Sequence, residues 1–180
     1  SYQMIKKDIK SKIKEYFLLN PTLKLWVRQI ERDLNIPLPS VIRYTKELEK
    51  EGILKSAKAP GITLYSADRT SHAFLLEKKS YNLRSLFSSG LIAFLVQELS
   101  NPTIVLFGSY ARGEDIETSD IDLYVESVKK DVPSLEKFEK KLQRKIQLFK
   151  YKEISKIENK ELANNIINGI TLNGFLEVFK

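Results

Sequence analysis

The sequence predicts an α+β protein of two domains, and three observations predict it. Residues 1–69 carry helical apolar spacing followed by two short β-type runs around Pro60-Gly61. Further on, the apolar run Ile104 to Phe107 ends in Gly108-Ser109, and after ten more residues Asp120 and Asp122 alternate with Ile121 and Leu123. The net charge of +7 divides unevenly, with +6 over residues 1–70, +1 over 71–100 and zero over 101–180.

The elements follow in order. Ile5, Ile9, Ile13, Phe17 and Leu18 recur at helical spacing over 4–19, and Asn20-Pro21 ends that helix. Leu25, Trp26, Ile30 and Leu34 predict a second helix that stops at Asn35-Ile36-Pro37. A third starts near Pro39-Ser40, turns Val41, Thr45 and Leu48 inward, and stops at Gly52. Ile53-Leu54 and Ile62 to Tyr65 flank the Ala59-Pro60-Gly61 turn as a hairpin. Residues 70–99 read as a linking helical region broken near Ser88-Ser89-Gly90, with Phe74, Leu75, Leu83, Leu86 and Phe87 on one face. The second domain, 100–180, opens with the 104–107 strand, a short helix and the 121–126 strand. Ser134 is expected to cap a helix that points Leu135, Phe138 and Leu142 inward. Residues 144–151 alternate as a third strand. A helical region over 153–168 and a helical tail from Leu172 to Phe179 complete the chain.

Composition excludes several chemistries. With no Cys and a single His, His72, there is no thiol nucleophile, disulfide frame or His-rich metal cluster. No apolar run is long enough to span a bilayer, so a cytoplasmic protein without membrane association is expected. The basic first half points to a nucleic-acid partner, because Lys and Arg neutralise phosphates and release counterions.

Helix, helix, turn, helix and hairpin, with Leu48-Glu49-Lys50-Glu51-Gly52-Ile53-Leu54 leading into the hairpin, resembles a winged helix-turn-helix domain. The resemblance implies a third helix that reads the major groove. Ser40, Arg43, Tyr44 and Lys46 lie opposite Val41, Thr45 and Leu48 and become DNA-contact candidates. Lys55 and Lys58 in the hairpin are candidates for the phosphate backbone. Arg43 would carry base specificity, since guanidinium pairs bidentately with guanine. The alternative is a protein-interaction module, which Glu47, Glu49 and Glu51 favour. The 70–88 helix either packs the domains or forms the seam of a homodimer.

In the second half, two acids at i and i+2 of a strand share a face and can hold a divalent cation against a triphosphate. Gly108-Ser109, Arg112-Gly113 and Ser119-Asp120-Ile121-Asp122-Leu123 resemble the signature of the DNA polymerase beta-type nucleotidyltransferases, specifically the minimal nucleotidyltransferase group. That resemblance implies a mixed sheet with flanking helices. It gives Asp120 and Asp122 as catalytic and metal-binding residues, with Mg²⁺ or Mn²⁺ as the cation. It gives Gly108, Ser109 and Arg112 as nucleotide-binding residues for a nucleoside triphosphate, ATP by expectation. The family pattern also has a third acid on the next strand, where Gln147 stands here, a residue that cannot take a proton. Glu126 and Glu153 are candidate substitutes, although nothing in the spacing argues for either. Two functions follow as expectations. One is transfer of AMP from Mg-ATP to a protein hydroxyl, antitoxin-like, with a HEPN-type partner protein. The other is a DNA-binding transcriptional regulator whose degenerate transferase domain binds nucleotide or a partner.

Overall fold

The computed structural model describes residues 8–179. Backbone contacts divide the chain into two units, Ser1–Lys78 and Lys79–Lys180.

In the first unit, Asp8 caps α1 (Ile9–Leu19) by accepting from the Ser11 amide at 2.8 Å. The helix buries Ile13, Phe17 and Leu18, whereas Ile5 falls outside the described residues. Leu25 does not open the second helix. It belongs to β1 (Lys24–Leu25), which pairs antiparallel with Ser66 and Tyr65, and this pairing buries Leu25. Trp26 stays extended, and α2 (Val27–Leu34) begins only after it. In α3 (Leu38–Lys50) Pro39 occupies the first turn, and Val41, Thr45 and Leu48 face inward. Buried Thr45 satisfies its hydroxyl by donating to the Val41 carbonyl at 2.8 Å. Strands β2 (Leu54–Ala59) and β3 (Ile62–Ala67) pair antiparallel, with Ala59 opposite Ile62 across the Pro60-Gly61 turn. The sheet order is β1-β3-β2.

The boundary between units falls within α4 (His72–Ser89). Phe74 and Leu86 are buried as expected, but Phe87 is 53% exposed. One residue of helix is a rotation of about 100°, so 86 and 87 cannot both lie at the centre of one face. Gly90, at φ 86°, breaks the helix before α5 (Leu91–Glu98).

The second unit is a four-stranded mixed sheet flanked by helices. It is built of β4 (Thr103–Phe107), β5 (Ile121–Glu126), β6 (Ile146–Tyr151) and β7 (Ile170–Asn173), in the order β6-β5-β4-β7. β4 runs antiparallel to β5 and β7, whereas β5 and β6 are parallel, joined through α7 (Glu136–Leu142). Ile104, Leu106, Ile121, Leu123 and Val125 face one core with Leu91, Leu95 and Phe138. Val105, Phe107 and Tyr124 face another with Ile154, Ile157 and Ile166. A 3₁₀ turn, Ile154–Lys156, and α8 (Lys160–Ile167) supply that second cover.

Two expectations fail here. Ser134 caps nothing: the residue before α7 is Leu135, and no side chain caps the helix. The tail expected to be helical from Leu172 is instead β7, and residues 174–179 form no regular element. The edge of β4 takes the segment as a ladder. Gly169 permits it, because a Cβ there would lie 2.5 Å from the Leu106 carbonyl oxygen.

Candidate functional site

The site grows from the end of β4. After buried Phe107 the chain turns at Gly108, at φ 76°, into the five-residue α6 (Gly108–Arg112). Such a φ favours glycine. The neighbour closes the position further: a Cβ on Gly108 would lie 2.3 Å from Asp122 Oδ2. The cause is register, since β4 and β5 place Phe107 opposite Asp122. The backbone of the turn therefore rests directly on the carboxylate.

Asp122 is half-buried within β5, and Asp120 is exposed, one residue before the strand begins. Ser119 shapes this approach by exchanging hydrogen bonds with Ile116. Its amide donates to the Ile116 carbonyl at 3.0 Å, and its hydroxyl accepts from the Ile116 amide at 2.9 Å. Burial first, and then the charge of Asp120, pushes the Asp122 carboxyl above the ordinary carboxylate range, with Arg112 opposing. A half-buried carboxylate whose negative form is disfavoured by a second acid nearby is a place where a cation is welcome.

The charge of Arg112 acts on Asp122. Its guanidinium Nε is 3.0 Å from Glu114 Oε2, an exposed pair. Ser109 is half-buried beside Gly108. Gln147 stands beside Asp122 in the parallel β5–β6 register and is exposed. Ile121 N–H donates to the Lys145 carbonyl at 2.8 Å, which carries that pairing to the level of Asp120.

Neither candidate substitute for the third acid reaches this end of the sheet. Glu126 lies at the far end of β5, accepting from the Tyr124 hydroxyl at 2.8 Å and the Ile154 amide at 3.0 Å. Four residues of strand separate it from Asp122, about 13 Å. Glu153 sits past the far end of β6 and pairs with Lys156 at 3.5 Å. Among the described residues, no group of three or more His, Cys, Asp or Glu could hold a metal ion. The protein's own donors are thus two carboxylates. They fit Mg²⁺ or Mn²⁺, because such ions keep several waters and take their remaining ligands from substrate phosphates.

Sequence reasoning missed a buried polar group behind the turn. Asn82 of α4 donates to the Tyr110 carbonyl at 2.9 Å and to Asp115 Oδ1 at 2.8 Å, and both Asn82 and Asp115 are 1% exposed. Arg144 Nη2 lies 3.8 Å from Asp115 Oδ2. Burial, with the Asp115 charge second, drives the Tyr110 phenol upward, so it stays neutral. The only available signal was an acid two residues after Gly113, which spacing alone does not mark as buried.

The DNA-contact candidates remain in the first unit. Arg43 and Lys46 are exposed on α3, Ser40 and Tyr44 are half-exposed, and Lys55 and Lys58 are exposed on β2. Arg43 is not free: its Nε pairs with Glu47 at 3.0 Å and its guanidinium lies 5.3 Å from the Tyr44 ring centre. Among the described residues no helix is long and apolar enough to cross a membrane.

No curated protein matches the chain. Residues 89–172, from the last residue of α4 into β7, match the family model of the nucleotidyltransferase domain, and it is to that family, of the polymerase beta type, that the second half of this chain is similar.

Proposed function

We propose that this protein binds a nucleoside triphosphate with a divalent cation at Gly108, Ser109, Asp120 and Asp122, and transfers AMP from Mg-ATP to a protein hydroxyl. One observation carries the reading: the Gly108 turn is seated on the Asp122 carboxylate, so phosphate cradle and cation ligand are one assembly. The Gly108 backbone and the Ser109 hydroxyl hold the phosphates, and Asp120 and Asp122 hold the cation. When bound, the cation neutralises phosphate charge and makes the α-phosphorus more open to attack. In the transfer, the acceptor oxygen bonds to the α-phosphorus, the bond to the bridging oxygen breaks, pyrophosphate leaves, and the hydroxyl proton passes to water.

Gln147 beside Asp122 favours a second reading. In it the same site holds nucleotide as a ligand, and the protein is a DNA-binding regulator. The first unit supports a DNA-binding role through its winged-helix-like order of elements and its charge of +6 over residues 1–70. A HEPN-type acceptor protein and a homodimer are further expectations of the resemblance.

Incubation with α-labelled ATP and Mg²⁺, alone and with co-purified proteins, tests transfer. Label should move to protein and disappear in the Asp120→Asn/Asp122→Asn double variant. Labelling that persists in the double variant removes the proposed site. Nucleotide binding without labelling in any mixture favours the regulator.

A further inference from the structure

We propose that Asn82 is a positioning residue for the phosphate turn, a role that rests on the reading of Gly108-Ser109 given above. The argument begins with a shortage of donors. α6 has five residues, too few to satisfy its own final carbonyls. The amides of Gly113 and Glu114 both go to the Ser109 carbonyl, the latter at 3.0 Å. Neither is left for the carbonyl of Tyr110, a residue 5% exposed. Asn82 donates to it from α4 at 2.9 Å, acting as a helix cap delivered by another element.

The same amide group donates to Asp115 Oδ1 at 2.8 Å. One side chain therefore grips the turn at both ends of the bend that follows it, Tyr110 before Gly113 and Asp115 after. Arg144, whose side chain is 9% exposed, backs Asp115 from the approach to β6. Tyr110 is only two residues past Gly108, so its carbonyl plane fixes the peptides that would face the phosphates. Asp120 and Asp122 are held separately, by β5. Without Asn82, the turn moves against acids that stay still, and the two halves of the site lose their spacing.

The test uses the full chain with Asn82→Asp, Asp115→Asn and the swapped double variant Asn82→Asp/Asp115→Asn. The swap restores a donor–acceptor pair between the two side chains but leaves the Tyr110 carbonyl without its Asn82 donor. Two readouts are taken: amide exchange at Gly113 and Glu114 in nucleotide-free protein, and Mg-ATP affinity. The swap should recover much of the melting temperature lost in Asn82→Asp. Exchange at the two amides should stay about ten-fold faster than in wild type, and Mg-ATP affinity about ten-fold weaker. Asp115→Asn, which keeps the Tyr110 bond, should stay within about three-fold on both. If the swap returns both readouts to wild type, Asn82 serves folding alone and the inference is overturned. If wild type binds no Mg-ATP while the amides still deprotect in the swap, Asn82 anchors the turn and the phosphate reading is what fails. Should Asn82→Asp not fold, Asn82→Ser, too short to reach Tyr110, carries the same readouts.

Discussion

Asp122 performs two jobs that pull its proton affinity in different directions. As a cation ligand it must be ionised, yet burial and the charge of Asp120 raise its carboxyl above the usual range. The folded state therefore binds that proton more tightly than the unfolded chain does. Stability at this residue is lowest above the raised value and improves as pH falls through it toward the ordinary range. Asp122→Asn removes the penalty, and it should melt about 2 °C above wild type at neutral pH. That difference should shrink as the pH falls toward 4, with both proteins followed by thermal melts in the absence of Mg²⁺. A difference independent of pH would show that the carboxylate is not strained by its surroundings. Mg-ATP affinity should run the other way, weakening as acid protonates Asp122. At this scale residue type alone nominates the candidate site, through a glycine, a serine and two alternating acids. Their mutual contact was not legible, because it depends on which residue of β4 lies opposite Asp122. Nor was Asn82, whose role exists only once α4 lies behind α6.

Strand register decides what the β5–β6 pair can do. Parallel pairing sets Gln147 next to Asp122, so a single substitution tests the missing acid without moving any backbone. Gln147→Asp places a third carboxylate on the exposed edge of the site. It should tighten Mn²⁺ binding by about ten-fold and raise labelling from ATP by a similar factor. Mn²⁺ affinity is read by titration, transfer by label incorporation. No gain in Mn²⁺ affinity would mean that position 147 does not face the cation. Strand β6 was readable because Ile146 and Leu148, two residues apart, alternate with Lys145 and Gln147; further along, Phe149 and Tyr151 pack against the core on the other face. The final strand was not. Ile170 and Leu172 do alternate with Thr171 and Asn173, but four residues are too short a stretch to outweigh the apolar run that follows, and β7 forms because β4 has an open edge. Leu25 was misassigned for the same reason, since a two-residue strand leaves no periodic trace.

Across the whole molecule, charge is the property that separates the halves. With the basic excess in residues 1–70 and neutrality in 101–180, a nucleic-acid partner is expected for the first unit alone. DNA affinity should fall steeply as salt rises, by about 10² or more between 50 and 200 mM. Lys55→Ala/Lys58→Ala should flatten that slope, whereas Arg43→Ala should act more weakly than its exposure suggests, because Glu47 already shares its charge. Gel shifts at graded salt read both, and affinity unaffected by salt would assign the basic face to something other than phosphate. Composition marks a basic first half and a neutral second half, but it does not mark the boundary between Lys78 and Lys79, which falls inside a helix with no break in sequence. That placement governs how the molecule can be taken apart. Lys78 and Lys79 are consecutive residues of α4, so a protease finds no loop there to cut. A half-length fragment ended at the boundary would expose a severed helical turn, with Phe74 on one piece and Leu86 on the other. Pieces meant to fold alone should overlap, the first running through Ser89 and the second starting at His72.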